Sequence, residues 1–157
     1  MTPPPDKFHV DYVKLESLTI IKVSIENALS IPSLPKGANS DIQFQLKPGV
    51  NWDLSRVRMV FDCSIKTYKD ETHTQELGVS ASIEIAFVFY IENLHAIAVR
   101  EKDDDNVPIT VPAEMVSSLS NIAYSTSRGV IYTRCLGTVL GPIVLPVMST
   151  DKILGED

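Results

Sequence analysis

The chain has 157 residues, of which 44% are hydrophobic, and its formal net charge is −6. These values are typical of one globular domain with a buried core, so we treat residues 1–157 as a single domain whose residues 1–7 form a disordered tail. Nucleic-acid binding is disfavoured, because a protein that binds nucleic acid needs a basic face to neutralise the phosphates. No apolar run reaches the roughly 20 residues of a membrane span, and the N-terminus lacks a signal-peptide core. We therefore expect a cytoplasmic protein.

Apolar and polar residues alternate with period two in the first part of the chain, which predicts four β-strands. We place these strands at residues 8–25, 42–46, 57–67 and 77–91. The alternation changes parity near Tyr12, which predicts a bulge there. Lys47-Pro48-Gly49 is expected to stop the second strand. Strands with one apolar and one polar side favour an antiparallel sheet that faces water on one side.

A crossover at residues 94–111 follows, and it contains a solvated acidic loop at residues 101–106. The period then becomes helical between Pro112, which suits a first helical turn, and Gly137, which suits a helix cap. This helix has two partly apolar stripes, one for the sheet and one for a second partner such as a neighbouring subunit. The sequence therefore predicts an α+β fold with a four-stranded antiparallel sheet, one long helix and a short C-terminal segment.

The segment after the helix is unusually apolar, although loops normally face water and are polar. Its apolar residues are Val139, Leu140, Ile143, Val144, Leu145 and Val147. Two interpretations stay open: the loop is buried within the molecule or its assembly, or it contacts an apolar partner.

No enzyme motif accompanies these elements. His9, His73 and His95 lack metal-ligand spacing, and no glycine-rich phosphate loop is present. Cys63 and Cys135 are interpreted as reduced core thiols, with a disulfide between them as the alternative. We expect no catalytic residue, no metal site and no cofactor.

The order of elements and a set of residues near the C-terminus resemble the SecB family of export chaperones. The residues that carry the resemblance are Asn121-Ile122, Tyr124, Arg128, Val130-Ile131, Gly137 and Pro146-Val147. The resemblance implies a homotetramer, built as a dimer of dimers, that holds unfolded polypeptide clients in apolar grooves without ATP. It also implies docking on an export motor ATPase, but the family's acidic, glycine-rich segment near the fourth strand has no counterpart here. Only residues 151–154 correspond to the family's second helix.

The candidate client-binding groove combines the second helix stripe, the apolar loop and a floor from the fourth strand. Its residues are Tyr124, Ile131, Leu140, Ile143, Leu145 and Val147, with Phe87 and Phe89 as the floor. The same residues also fit core packing or an oligomer interface. The leading functional hypothesis is a holdase, for export or for a dedicated client. The alternatives are an oligomeric adaptor or structural protein of the same fold without general client binding, and an enzyme or small-ligand binder.

Overall fold

The structure, a computed structural model, describes residues 2–101 and 107–155. Most of the predicted acidic loop, residues 102–106, lies outside these residues. Four long strands form one antiparallel sheet in the order β1-β4-β3-β2. Their bounds are β1 Val13–Asn27, β2 Asn39–Asn51, β3 Arg56–Tyr68 and β4 Glu76–Ile91. β3 and β4 are therefore central, and β1 and β2 form the two edges.

The described residues after β4 cross over one face of this sheet. A short helix α1 and a pair of two-residue strands, β5 and β6, lead into the long helix α2. A one-turn helix α3 follows the apolar loop. Their bounds are α1 Leu94–Ile97, β5 Val99–Arg100, β6 Ile109–Thr110, α2 Ala113–Cys135 and α3 Thr150–Leu154. The predicted α+β fold, with its sheet, long helix and short C-terminal segment, is confirmed.

The core lies between the sheet and α2, and the alternation of β3 and β4 explains its position. The odd-numbered residues of β3 are buried, as are those of β4 from Val79 onward, whereas most of the even-numbered residues are partly or fully exposed. Met115, Leu119 and Ile131 on α2 are completely buried and cover this face. One apolar stripe of the helix and one apolar face of the sheet thus exclude water from each other.

The edge strands differ from the sequence-based prediction in two details. The bulges of β1 lie at Glu16 and Ile21, where its pairing with β4 shifts, whereas Tyr12 belongs to a 3₁₀ turn at Val10–Tyr12. β2 does not stop at Pro48 but continues to Asn51, paired with β3 throughout. An edge strand tolerates proline because one side of its backbone has no strand to bond to.

The N-terminal segment contacts the end of β4. The side-chain amide of Asn93 donates hydrogen bonds to the carbonyl oxygens of Pro5 and Lys7, each at 2.9 Å. The hydroxyl of Tyr12 donates to the carbonyl of Pro3. These contacts hold the N-terminal segment against the rest of the molecule. The predicted mobility of residues 1–7 stays a prediction.

Candidate functional site

Seven of the eight predicted groove residues lie within the core of the single chain. Phe87, Phe89, Tyr124, Ile131, Leu140, Ile143 and Leu145 are each at most 7% exposed. Val147 is 84% exposed, and Val144 in the same loop is 63% exposed. The apolar loop therefore packs one set of side chains inward and presents another set to solvent. Membership of the seven buried residues in a client groove stays a prediction.

The structure opens a different groove along the edge strand β2, with a volume of about 660 Å³. We call it the β2 groove. Its lining consists of Ile42, Gln43, Phe44, Gln45, Leu46, Asp62, Ser64, Met148, Lys152, Ile153, Leu154 and Gly155. One wall is β2 with the adjoining part of β3, and the other is the segment from Met148 through α3. Both apolar and polar side chains line it.

Aromatic rings lie beneath the groove. The ring of Phe44 stacks on Phe61 with 5.6 Å between centroids, and it lies 5.0 Å from the ring of Tyr124. Such ring pairs stabilise a packed cluster beyond the area that they bury. Tyr124, one of the predicted groove residues, thus supports the floor of the β2 groove from below.

Three polar contacts hold the second wall in place. Tyr124 Oη donates to the carbonyl of Pro146 at 2.8 Å, and Arg128 Nε donates to the carbonyl of Leu145 at 2.9 Å. Asn121 Nδ2 donates to Thr150 Oγ1 at 3.0 Å, which ties α3 to α2. A loop without regular structure is therefore fixed by side chains of the rigid helix, because its main-chain carbonyls find partners there.

Asp62 and Lys152 are the charged residues among the groove lining. Lys47 Nζ lies 3.7 Å from Asp62 Oδ2, and both side chains are largely in solvent. Such pairs contribute little to stability. Burial raises the pKa of the Tyr124 hydroxyl, so this group remains a neutral hydrogen-bond donor under the floor.

A second apolar surface lies at the opposite edge of the sheet. We call it the β1–α2 face and define it by Leu15, Leu18, Ile20 and Val23 on β1 with Ile122, Gly129 and Val130 on α2. Leu15, Leu18 and Val23 pair with core-facing residues of β4, so they point toward the helix side of the sheet. They are nevertheless 44%, 38% and 40% exposed, because α2 packs mainly against β3 and β4. A hollow of about 620 Å³ separates Ile20 from the side of α2.

The sequence identified the strand residues of both surfaces but not their role. Ile42, Phe44 and Leu46 alternate like any half-buried strand, and nothing in that alternation marks β2 as an edge. Met148 has no signal beyond being apolar, and the predicted short C-terminal segment that contains Ile153 and Leu154 gives no sign of a groove.

Within residues 2–101 and 107–155, no group of three or more His, Cys, Asp or Glu side chains is arranged to hold a metal ion. Both cysteines are buried free thiols. Burial, with smaller contributions from Cys135 and Asp62, raises the pKa of Cys63 to about 12. Burial also raises the pKa of Cys135. A thiol with a raised pKa is a poor nucleophile at neutral pH. No helix in the described part of the chain has the length and hydropathy to cross a membrane.

No protein-family model matches this sequence, and no curated protein matches it. Among solved structures, the chain is similar to the SecB-like chaperone Rv1957 of Mycobacterium tuberculosis, solved in complex with a ChAD peptide from the Rv1956 HigA1 antitoxin. The TM-score is 0.57 at 15% sequence identity, over 89% of this chain and 93% of that chain. A protein of unknown function from Streptococcus agalactiae matches with a TM-score of 0.42 at 13% identity, over 86% of this chain and 97% of the other. The first likeness supports a SecB-like fold.

Proposed function

We propose that this protein is an ATP-independent holdase that binds unfolded or non-native polypeptides in the β2 groove. The observation that carries the proposal is an open groove of about 660 Å³ along an edge strand, with Ile42, Phe44, Leu46, Met148 and Leu154 among its lining. The SecB-like fold supports the same conclusion, since a structural neighbour of that fold was solved with a peptide bound.

The physical basis is the burial of apolar side chains that an unfolded client exposes. Each Å² of apolar surface removed from water contributes about 25 cal/mol, and the attraction has no direction. A groove of branched, aromatic and thioether side chains can therefore accept many sequences. Methionine adapts its shape to different neighbours, which suits Met148 for this wall.

We also propose that the chain assembles with itself through the β1–α2 face, as a homotetramer built from two dimers. This face exposes leucine, isoleucine and valine side chains and the unpaired edge of β1. Such a surface is typically buried against another chain. Several copies would place several β2 grooves on one particle. Weak contacts at each groove then add through effective concentration when one client spans them.

The proposed clients are non-native chains in the cytoplasm, either during protein export or as one dedicated client. Docking on an export motor ATPase stays a prediction that nothing in the groove supports. The second candidate function is an oligomeric adaptor of the same fold, and the exposed β1–α2 face favours it equally. Such an adaptor would bind one partner and leave a panel of unfolded proteins alone.

Suppression of client aggregation tests the proposal. A reduced, unfolded model protein is mixed with stoichiometric amounts of this chain, and light scattering is followed with and without ATP. We expect protection that ATP does not change. Leu154→Asp places a carboxylate in the β2 groove and is expected to remove most of the protection, because a charge there loses water when a client binds.

Leu29→Asp is the matched control, since Leu29 is 62% exposed in the loop between β1 and β2. Circular dichroism confirms that each variant is folded. If folded Leu154→Asp protects as well as the parent and Leu29→Asp, clients do not bind in the β2 groove. If the parent protects no member of a client panel, the holdase function is wrong and the adaptor is favoured.

A further inference from the structure

β2 lies at the edge of the sheet, so half of its main-chain groups point away from β3. Within the described chain, no other backbone or side chain forms a hydrogen bond with these outward groups between Ile42 and Leu46. They lie along the β2 groove, and the residues of its second wall pack on the core side of β2. The groove thus offers an unused row of donors and acceptors as well as apolar surface.

The side chains of β2 sort into two rows along this edge. Ile42, Phe44 and Leu46 are partly buried and pack against the core, whereas Gln43 and Gln45 are exposed on the opposite face of the sheet. Asp62 and Ser64 of β3 extend the polar row, since Asp62 pairs with Gln45 and Ser64 with Gln43. One side of the groove is therefore apolar and the other is polar.

We propose that the client segment binds as an extended strand that adds to β2, with an apolar side chain at every second residue. This inference rests on the proposed function and names the class of segment that it recognises. In a strand, alternate side chains point to opposite faces. Apolar residues of the client would contact the Phe44 and Ile153 side, and the polar residues between them would face Gln43 and Gln45.

The part of the β2 edge that can accept an added strand has a defined end. β2 begins at Asn39, and Pro48 lacks an N–H donor, so the edge open to an added strand covers residues 39–47. A helical client is disfavoured because it would leave the outward groups of β2 without partners, and its apolar side chains recur with period 3.6. Binding of a helical segment is one of the outcomes that the experiment distinguishes.

The test uses three kinds of nine-residue peptide, all composed of valine and threonine with a fluorescent label. The first alternates valine and threonine, and the second has the same composition with the valines in one block. The third kind is the alternating peptide N-methylated at every second amide, made as two isomers that each block one edge of the strand. Affinity is measured by fluorescence anisotropy with the full chain, and aggregation suppression is measured on the same sample.

We expect the alternating peptide to bind about tenfold more tightly than the block isomer, and one methylated isomer to bind about tenfold more weakly than the other. Gln45→Val, which makes the polar row apolar, is expected to reduce the preference for the alternating peptide. Gln75→Val in the connector between β3 and β4 is the matched control and should keep that preference.

Equal binding of the two methylated isomers, whether both are tight or both are weak, overturns strand addition. Tighter binding of the block isomer, or of an amphipathic helical peptide with the same number of apolar residues, overturns it as well. If these peptide results fail while the chain still suppresses aggregation, the holdase function stands and only the strand-addition inference is lost. If aggregation suppression fails, the proposed function fails on its own test.

Discussion

Tyr124 links three parts of the molecule through one side chain. Its ring contacts Phe44 of β2 and lies 6.2 Å from the ring of Phe61 on β3. Its hydroxyl donates to the carbonyl of Pro146 in the loop after α2. A buried residue with a polar tip can therefore position the groove floor and the groove wall together.

Tyr124→Phe tests this link at the level of one hydrogen bond. The change keeps the ring but leaves the Pro146 carbonyl without its donor, so we expect the free energy of unfolding to fall by about 1 kcal/mol. Urea denaturation measures it. Tyr132→Phe is the control, because Tyr132 is 41% exposed on the same helix and its hydroxyl bonds to no described residue. Equal effects of the two substitutions would contradict the role of the hydroxyl.

At the scale of elements, the sequence predicted what depends on neighbouring residues. The alternation of Val57 to Thr67 places a strand with one buried face, and the structure has that strand with those residues buried. Helix α2 likewise begins directly after Pro112 and ends shortly before Gly137, whose φ is +80°. Period, caps and turn residues are local signals and can be recognised without tertiary information.

The β2 groove depends on contacts between distant parts of the chain, and no local signal predicts it. Phe44 lines a groove because β2 is an edge strand and because residues 148–155 return to it about a hundred positions later. The continuation of β2 through Pro48 has the same origin, since the breaking effect of proline is weak only at an edge. Leu140 and Leu145 are buried in the single chain, and their membership of a client groove stays a prediction, because the apolarity that supports it is shared by core residues.

Helix α2 contains a glycine that its own chain does not require. Gly129 is exposed within the helix, and a Cβ added there would meet nothing within 4 Å. Because glycine costs about 1 kcal/mol relative to alanine in a helix interior, Gly129→Ala should raise the free energy of unfolding by about that amount. Urea denaturation at low protein concentration measures the change in the chain itself.

Ser125→Ala, at an exposed position one turn earlier, is the control and should give a smaller gain. A loss of stability in Gly129→Ala would contradict the open surroundings of Gly129. If Gly129→Ala gains stability at low protein concentration and also self-associates more weakly, a second copy approaches the helix backbone closely at this position.

At the scale of the whole molecule, the two apolar surfaces lie at opposite edges of the sheet. The β2 groove has two walls and a floor, whereas the β1–α2 face is open along β1. An open, edge-strand surface with leucine and valine side chains is an association hazard unless another chain covers it. This difference is why we assign client binding to the first surface and self-assembly to the second.

Leu18→Asp tests that assignment. Leu18 is 38% exposed on the β1–α2 face, and a carboxylate there would lose its hydration in an interface, so we expect the variant to dissociate. Light scattering after size-exclusion chromatography measures the mass of the particle, and the thermal midpoint of the parent should rise with protein concentration, as mass action requires. Leu54→Asp carries the same charge change at a 52% exposed leucine between β2 and β3 and should leave the mass unchanged. Two outcomes would contradict assembly through this face. One is a parent chain that is monomeric at every concentration, and the other is a Leu18→Asp variant with the parent's mass. Neither outcome is compatible with leucine side chains of β1 that are buried between copies.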